Sequence, residues 1–149
     1  MSISKELATC ALVTLGFFLH QGIINVIPVA IARKKTGIDA PTLYPRDSQI
    51  KELKVSDEDL DGYMRAQRAH QNNMEFLTQW MPIWGFACVI DPAAAIIPGA
   101  LTLAGRVVTC WAYSNVSKSA RIWGAWFHIP ELYTAFYVVG YGAYKIAFN

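Results

Sequence analysis

Arg65, Arg68, Asn72 and Glu75 follow one another at spacings of three, four and three through the stretch Arg-Ala-Gln-Arg-Ala-His-Gln-Asn-Asn-Met-Glu-Phe, residues 65–76. On an α-helix advancing about 100° per residue they share an arc of roughly 80°, while Ala66, Ala69, Asn73 and Phe76 fall on other faces. A second set follows at i, i+4 and i+7: Arg106, Cys110 and Tyr113 lie on one face, so a guanidinium and a phenol point the same way. Both sets run into apolar sequence. Ionisable groups at membrane depth are expensive, so they face a bundle interior or a wet cavity and pair with one another or with a ligand. The spacing alone leaves both readings open: ion pairing between helices, or a polar ligand site. Glu75 is the acid that would neutralise Arg106 if their helices are antiparallel neighbours.

The elements that must carry these residues are helices in a membrane. Of the 149 residues, 54% are hydrophobic and 16% charged, against about 45–50% and about 25% in an average soluble chain. Leu7 to Ala32 carries no formal charge over 26 residues, and about 20 suffice to cross a hydrocarbon core. The run is long for a signal-peptide core and lacks an evident small-residue cleavage site, which predicts a retained helix. The length fits one domain with spans at about 7–32, 72–90, 93–116 and 122–144 and a polar loop at 33–55. A net charge of +2, with no basic stripe, gives no indication of a nucleic-acid partner. Cys10, Cys88 and Cys110 sit in apolar runs without ligand spacing and read as small buried hydrophobes. His20, His70 and His128 form no local metal motif.

Within the first span, Gln21 and Asn25 are four apart and share a face, which predicts interhelical hydrogen bonding, and Pro28 is a candidate kink. Ser56 followed by Asp57, Glu58 and Asp59 reads as a helix cap with acids in the first turn. A helix from there to Ile90 is longer than a bilayer core, so its first turns stand in water. Asp91-Pro92 marks a turn, Pro98 a candidate kink in the third span, and Asn115-Val116-Ser117 a sequon expected to be unused. Glu131 is the formal charge of the fourth span and requires an interior partner. Arg33, Lys34, Lys35, Arg46, Lys51, Lys54, Arg65, Arg68, Lys118 and Arg121 fall on the loop side, against Lys5 and Lys145 on the terminal side. The imbalance predicts that the charged loops face cytosol, matrix or stroma; the membrane expected is that of the endoplasmic reticulum or an organelle, mitochondrion and plastid included, which the sequence does not name.

Arg-Ala-His-Gln-Asn-x-x-Glu, residues 68–75, resembles the second-helix signature of the MAPEG family, membrane-associated proteins of eicosanoid and glutathione metabolism. Arg33 to Pro41 resembles that family's basic first loop, and Arg106 through Tyr113 to Arg121 its third helix and the loop after it. The resemblance covers nearly the whole chain. It implies an all-α, four-transmembrane-helix bundle assembled as a homotrimer with sites between subunits, acting as a glutathione transferase or peroxidase on lipophilic electrophiles or lipid hydroperoxides. Glutathione would be the co-substrate, with no metal. On that reading Arg68, Asn72, Glu75, Arg106 and Tyr113 bind glutathione: Arg68 takes a carboxylate in a bidentate fork, Glu75 accepts from the ammonium, and Asn72 donates and accepts. Arg121 matches the arginine that stabilises the thiolate, needed because a free thiol near pKa 8.5 is only a few per cent ionised at neutral pH. The sequence departs from the family pattern in four places, one of them Thr109, which replaces a histidine or tyrosine frequently found on the third helix. The spacing from Arg106 to Arg121 is one residue shorter than in the microsomal transferase and prostaglandin synthase branches, Ile122 stands where relatives often have Ser or Gly, and Gln71 stands where the prostaglandin branch has arginine. The competing expectation is a non-catalytic subunit of the same fold, binding lipid or embedded with other membrane subunits.

Overall fold

A computed structural model describes residues 4–148, except for the side chains of Arg121 and Ala125. The first helix, α1 (Lys5–Thr36), starts where Ser4 Oγ accepts from Leu7 N at 3.2 Å. It ends at Gly37, whose φ of 71° needs a residue without Cβ. Its last turn carries Arg33, Lys34 and Lys35 against the negative end of the helix dipole. The expected irregularity near Pro28 lies one turn earlier, at His20–Ile24, where the helix widens to π geometry and Asn25 N donates to His20 O at 2.8 Å. Pro28 has no N–H and its ring crowds the carbonyl of Ile24, so the strain is taken up in the preceding turn.

The stretch read as a plain loop, 33–55, is more ordered than its composition suggests. It begins as the end of α1 and contains a short helix, α2 (Asp47–Glu52), whose entry is fixed by Arg46 N donating to Gln49 Oε1 at 3.0 Å. Arg33 holds the intervening turn by donating to Ile38 O at 3.1 Å and Thr42 O at 2.8 Å, and Tyr63 donates to Thr42 O at 2.6 Å.

The long helix α3 (Asp57–Ile90) spans 34 residues, a length of about 50 Å at 1.5 Å per residue. Ser56 Oγ accepts from Asp59 N at 3.2 Å, and Asp57, Glu58 and Asp59 occupy the first turn. Asp91 Oδ1 then caps α4 (Pro92–Asn115) by accepting from Ala94 N at 3.0 Å. The last helical stretch, α5 (119–148), changes pitch three times: 3-10 over Ser119–Phe127, α over His128–Tyr133, π over Thr134–Tyr141 and α again over Gly142–Phe148. Pro130 lies beyond its 3-10 turn, and Thr134 Oγ1 takes up the Pro130 carbonyl at 2.9 Å.

The helices pack as one bundle in which α3 and α4 form the central antiparallel pair, α1 lies against α4, and α5 folds back on both α4 and α3. Near the terminal side, Trp80 and Trp84 stack with centroids 6.1 Å apart, Phe17 is tilted against both at 6.4 Å, and Trp84 Nε1 donates to Thr14 Oγ1 at 2.9 Å. Gly99 admits this cluster: a Cβ there would stand 2.1 Å from the Trp84 ring. Two helices, Lys5–Thr36 and Pro92–Asn115, are by themselves long and apolar enough to cross a membrane. Leu12, Phe18, Val89, Ile97 and Phe136 are each at least 68% exposed, an apolar belt that water would not tolerate and that lipid or another subunit must cover.

Candidate functional site

The inward stripe of α3 is Ala66, Ala69, Asn73, Trp80, Trp84 and Ala87, at the three-and-four spacing of a core face. The charged stripe lies beside it. Arg68, Asn72 and Glu75 are exposed at the edges of the helix, and Arg65 is half-buried. The residue carried into the core is Asn73, which is 0% exposed.

Asn73 meets Arg106. The Arg106 guanidinium is 6% exposed, donates from Nε to Asn73 Oδ1 at 2.9 Å and from a terminal nitrogen to Asn72 Oδ1 at 2.9 Å, and lies over the Phe76 ring 4.4 Å from its centroid. The expected Arg106–Glu75 ion pair is therefore not formed. Glu75 is turned about 60° from Asn72 and about 160° from Asn73, the two residues that meet Arg106, on the geometry of 3.6 residues per turn. Glu131 pairs within its own helix, at 2.7 Å from His128 Nδ1, rather than with another span.

Arg68 and Glu75 instead line an open groove of about 670 Å³ together with Val29 and Arg33 of α1, Leu43 and Tyr44 of the loop, and His70 and Gln71. Gln71 Oε1 collects two donors, Arg68 at 3.1 Å and the Tyr44 hydroxyl at 2.9 Å, which fixes the Arg68 guanidinium at the groove mouth. On the other side of Arg68, a narrow cleft of about 40 Å³ is lined by Asn72, Tyr113, Thr109 and Cys110. That volume admits one or two atoms the size of water or sulfur, whereas the groove lies within the roughly 300–1,000 Å³ of small-molecule sites. Arg68 is common to both.

The structure thus brings Arg68, Asn72 and Tyr113 around one cleft, puts Glu75 in the adjoining groove and sets Arg106 behind Asn72 as its support. The side chain of Arg121 lies outside the described residues. The chain leading to it is tied down: Arg65 donates to Val116 O at 3.0 Å, and Asp61 pairs with Arg65 at 3.0 Å and with Lys118 at 2.6 Å. The Lys118 hydrogen bond, followed by the charges of Lys118 and Arg65, outweighs desolvation and holds the Asp61 carboxyl below the ordinary carboxylate range. Among the described residues no group of three or more His, Cys, Asp or Glu could hold a metal ion.

Tyr44, Gln71 and Asn73 are site residues that sequence reasoning passed over. Asn73 carried a usable signal, being polar seven residues from both Ala66 and Trp80 on the apolar stripe. Tyr44 carried none, since its place depends on the fold of the loop.

The model of the MAPEG family matches residues 8–142. The chain belongs to the MAPEG family. It therefore has the four-helix membrane fold of that family, consistent with its all-helical bundle. A relative in Synechocystis sp. (strain ATCC 27184 / PCC 6803 / Kazusa), "Uncharacterized protein sll1147", is 31% identical over 119 residues, covering 78% of this chain and 75% of the relative. No solved structure matches the chain at a significant level.

Proposed function

We propose that this MAPEG protein is a membrane-bound glutathione transferase or peroxidase, in which spans near 72–90 and 122–144 complete the membrane domain and the charged loops face the cytosol, matrix or stroma. The observation that carries the reading is the groove in which Arg68, held by Gln71, and Glu75 both stand, with Tyr44 beside them. A tripeptide with two carboxylates and one ammonium needs a fixed cation and an anion within one cleft, and both are present without being consumed by an ion pair to each other. The narrow cleft beyond Arg68 suits a thiol. There Tyr113 offers a hydroxyl, and Asn72, held by Arg106, offers its amide N–H to sulfur as the thiolate forms. Arg121 is proposed as the cation that lowers the thiol pKa, each unit being worth about 1.4 kcal/mol of thiolate stabilisation. The thiolate then attacks an apolar electrophile or lipid hydroperoxide entering from the bilayer. Assembly as a homotrimer is part of the same proposal.

A second reading has an observation in its favour: Arg106, Asn72 and Asn73 are spent on one another, as in a structural subunit without catalysis. Glutathione binding and turnover of a soluble aromatic electrophile by the purified protein separate the two. Arg121→Ala is expected to lower kcat at least tenfold with little change in glutathione affinity. Absence of binding at millimolar glutathione would leave the structural subunit as the better account.

A further inference from the structure

Three hydrogen bonds run from α4 through α3 to α1 and back to α3, and each one fixes the polarity of the next. Arg106 has only donors, so the Asn73 atom facing it, 2.9 Å from Nε, is the carbonyl oxygen. Asn73 Nδ2 therefore faces Gln21 and donates to Oε1 at 2.6 Å, where Asn25 Nδ2 also donates at 3.3 Å. Gln21 Nε2 is left to donate, and the atom it meets at 3.4 Å is His70 Nδ1. An amide N–H can only be received there by a bare nitrogen. His70 must be neutral with its proton on Nε2, and it is a wall of the Arg68–Glu75 groove.

We propose that Gln21 is a positioning residue that transmits the protonation state of His70 to the Arg106–Asn72 pair, so that the groove and the narrow cleft are coupled through α1. A proton on His70 Nδ1 would face a second donor. Gln21 would have to turn its amide over, which sets Nε2 against Asn73 Nδ2. Asn73 would then either lose its acceptor or turn its own amide away from Arg106. Each neutral amide has two orientations and Arg106 has one, so the chain is a two-state element anchored at its charged end. Arg106 also holds Asn72, which lines the narrow cleft, and release of Asn73 frees the guanidinium to leave it. The other titratable and charged groups that wall the groove with His70 are Arg33 of α1, Tyr44 of the loop, and Arg68 and Glu75 of α3. His20, next to Gln21, is 1% exposed and has no hydrogen-bond partner at either ring nitrogen among the described residues, so it offers no alternative anchor for the chain.

The effect on a ligand rests on the glutathione reading above, whereas the polarity of the chain does not, and the test keeps the two apart. Histidine-labelled full-length protein in detergent or nanodiscs reports the His70 tautomer by nitrogen NMR, the signal being assigned by its loss in His70→Gln. The Nε2-protonated form is expected in the wild type. Gln21→Glu replaces the donor with a second acceptor while still receiving Asn73 Nδ2, so the proton should move to Nδ1 and the protonation midpoint rise by about one to two pH units, as beside any carboxylate. Glutathione affinity of the wild type should fall about tenfold between pH 8 and the acid side of the His70 midpoint. In Gln21→Glu it should stay flat, and in Gln21→Met it should be low throughout. An Nδ1-protonated wild type, or a Gln21→Glu protein whose tautomer and pH profile match the wild type, overturns the coupling. A wild type that shows the expected tautomer but binds no glutathione removes the catalytic reading and leaves the hydrogen-bond chain intact.

Discussion

The two arginines flagged by their sequence context have opposite tasks, and burial decides which is which. Arg106 is 6% exposed and bonded to an Asn73 that is 0% exposed. Replacing it with Leu strands the Asn73 oxygen in the core, a loss of about 1–3 kcal/mol, so Arg106→Leu is expected to lower the thermal midpoint in detergent by several degrees. Arg68 is exposed at the groove mouth, held by Gln71 beside Tyr44. Arg68→Ala should leave that midpoint nearly unchanged, because surface substitutions stay within about 0.5 kcal/mol. The same change should weaken glutathione roughly 10- to 100-fold, the worth of about 1.5–3 kcal/mol for a charge-assisted bond. Equal thermal losses in the two variants, measured side by side, would contradict this division of labour. The sequence marked both residues because charge beside apolar runs is visible in one dimension. It did not separate them, because which neighbour of a stripe faces inward turns on a rotation of one residue, Asn72 against Asn73.

The helices were legible where a local rule decides them. Ser56 with its acids, and Asp91-Pro92, mark their ends through backbone donors that only those side chains satisfy. Pitch changes were less legible, since Pro28 and Pro130 announce strain but not the turn that absorbs it. Pairing between elements was legible at Gln21, whose expected interhelical hydrogen bonds form with Asn73 and His70, but not in the loops, and the Asp61 clamp is the clearest instance. It joins α3 to the α4–α5 connection through Lys118 and Arg65, residues 57 and 4 positions away in the chain. Because Asp61 titrates below its unfolded value, which lies near 3.9, its contribution is present above that value and is lost as pH falls through the lower folded one. Hydrogen exchange in 115–119, compared at matched intrinsic rates, should therefore be unchanged from pH 7 to 5 and accelerate below about pH 4. Asp61→Asn should show the fast rate already at pH 7. Protection that survives both treatments would mean that the Arg65 bond to Val116 O alone holds the connection.

At the scale of the whole molecule, the apolar belt and the charge distribution make one geometric demand. Ten basic residues lie on the loop side and two on the terminal side, and the Arg68–Glu75 groove opens among the ten, walled by the loop residues Leu43 and Tyr44. If the orientation follows the basic residues, the water-soluble co-substrate enters from the cytosol, matrix or stroma while apolar substrates arrive through the exposed belt around Val89, Ile97 and Phe136. The three native cysteines are buried and free, so a single added thiol can be read against them without removing any. Ser48→Cys on the exposed face of α2 and Ser117→Cys in the α4–α5 connection should both react with a membrane-impermeant maleimide from the cytosolic side of sealed vesicles. Ser4→Cys should react only from the opposite side. Labelling of Ser48→Cys and Ser117→Cys from different sides would break the even number of spans between the two loops, and with it the four-span arrangement of this chain. Labelling of both from the side opposite to the cytosol would preserve the spans and reverse the membrane face from which glutathione must come.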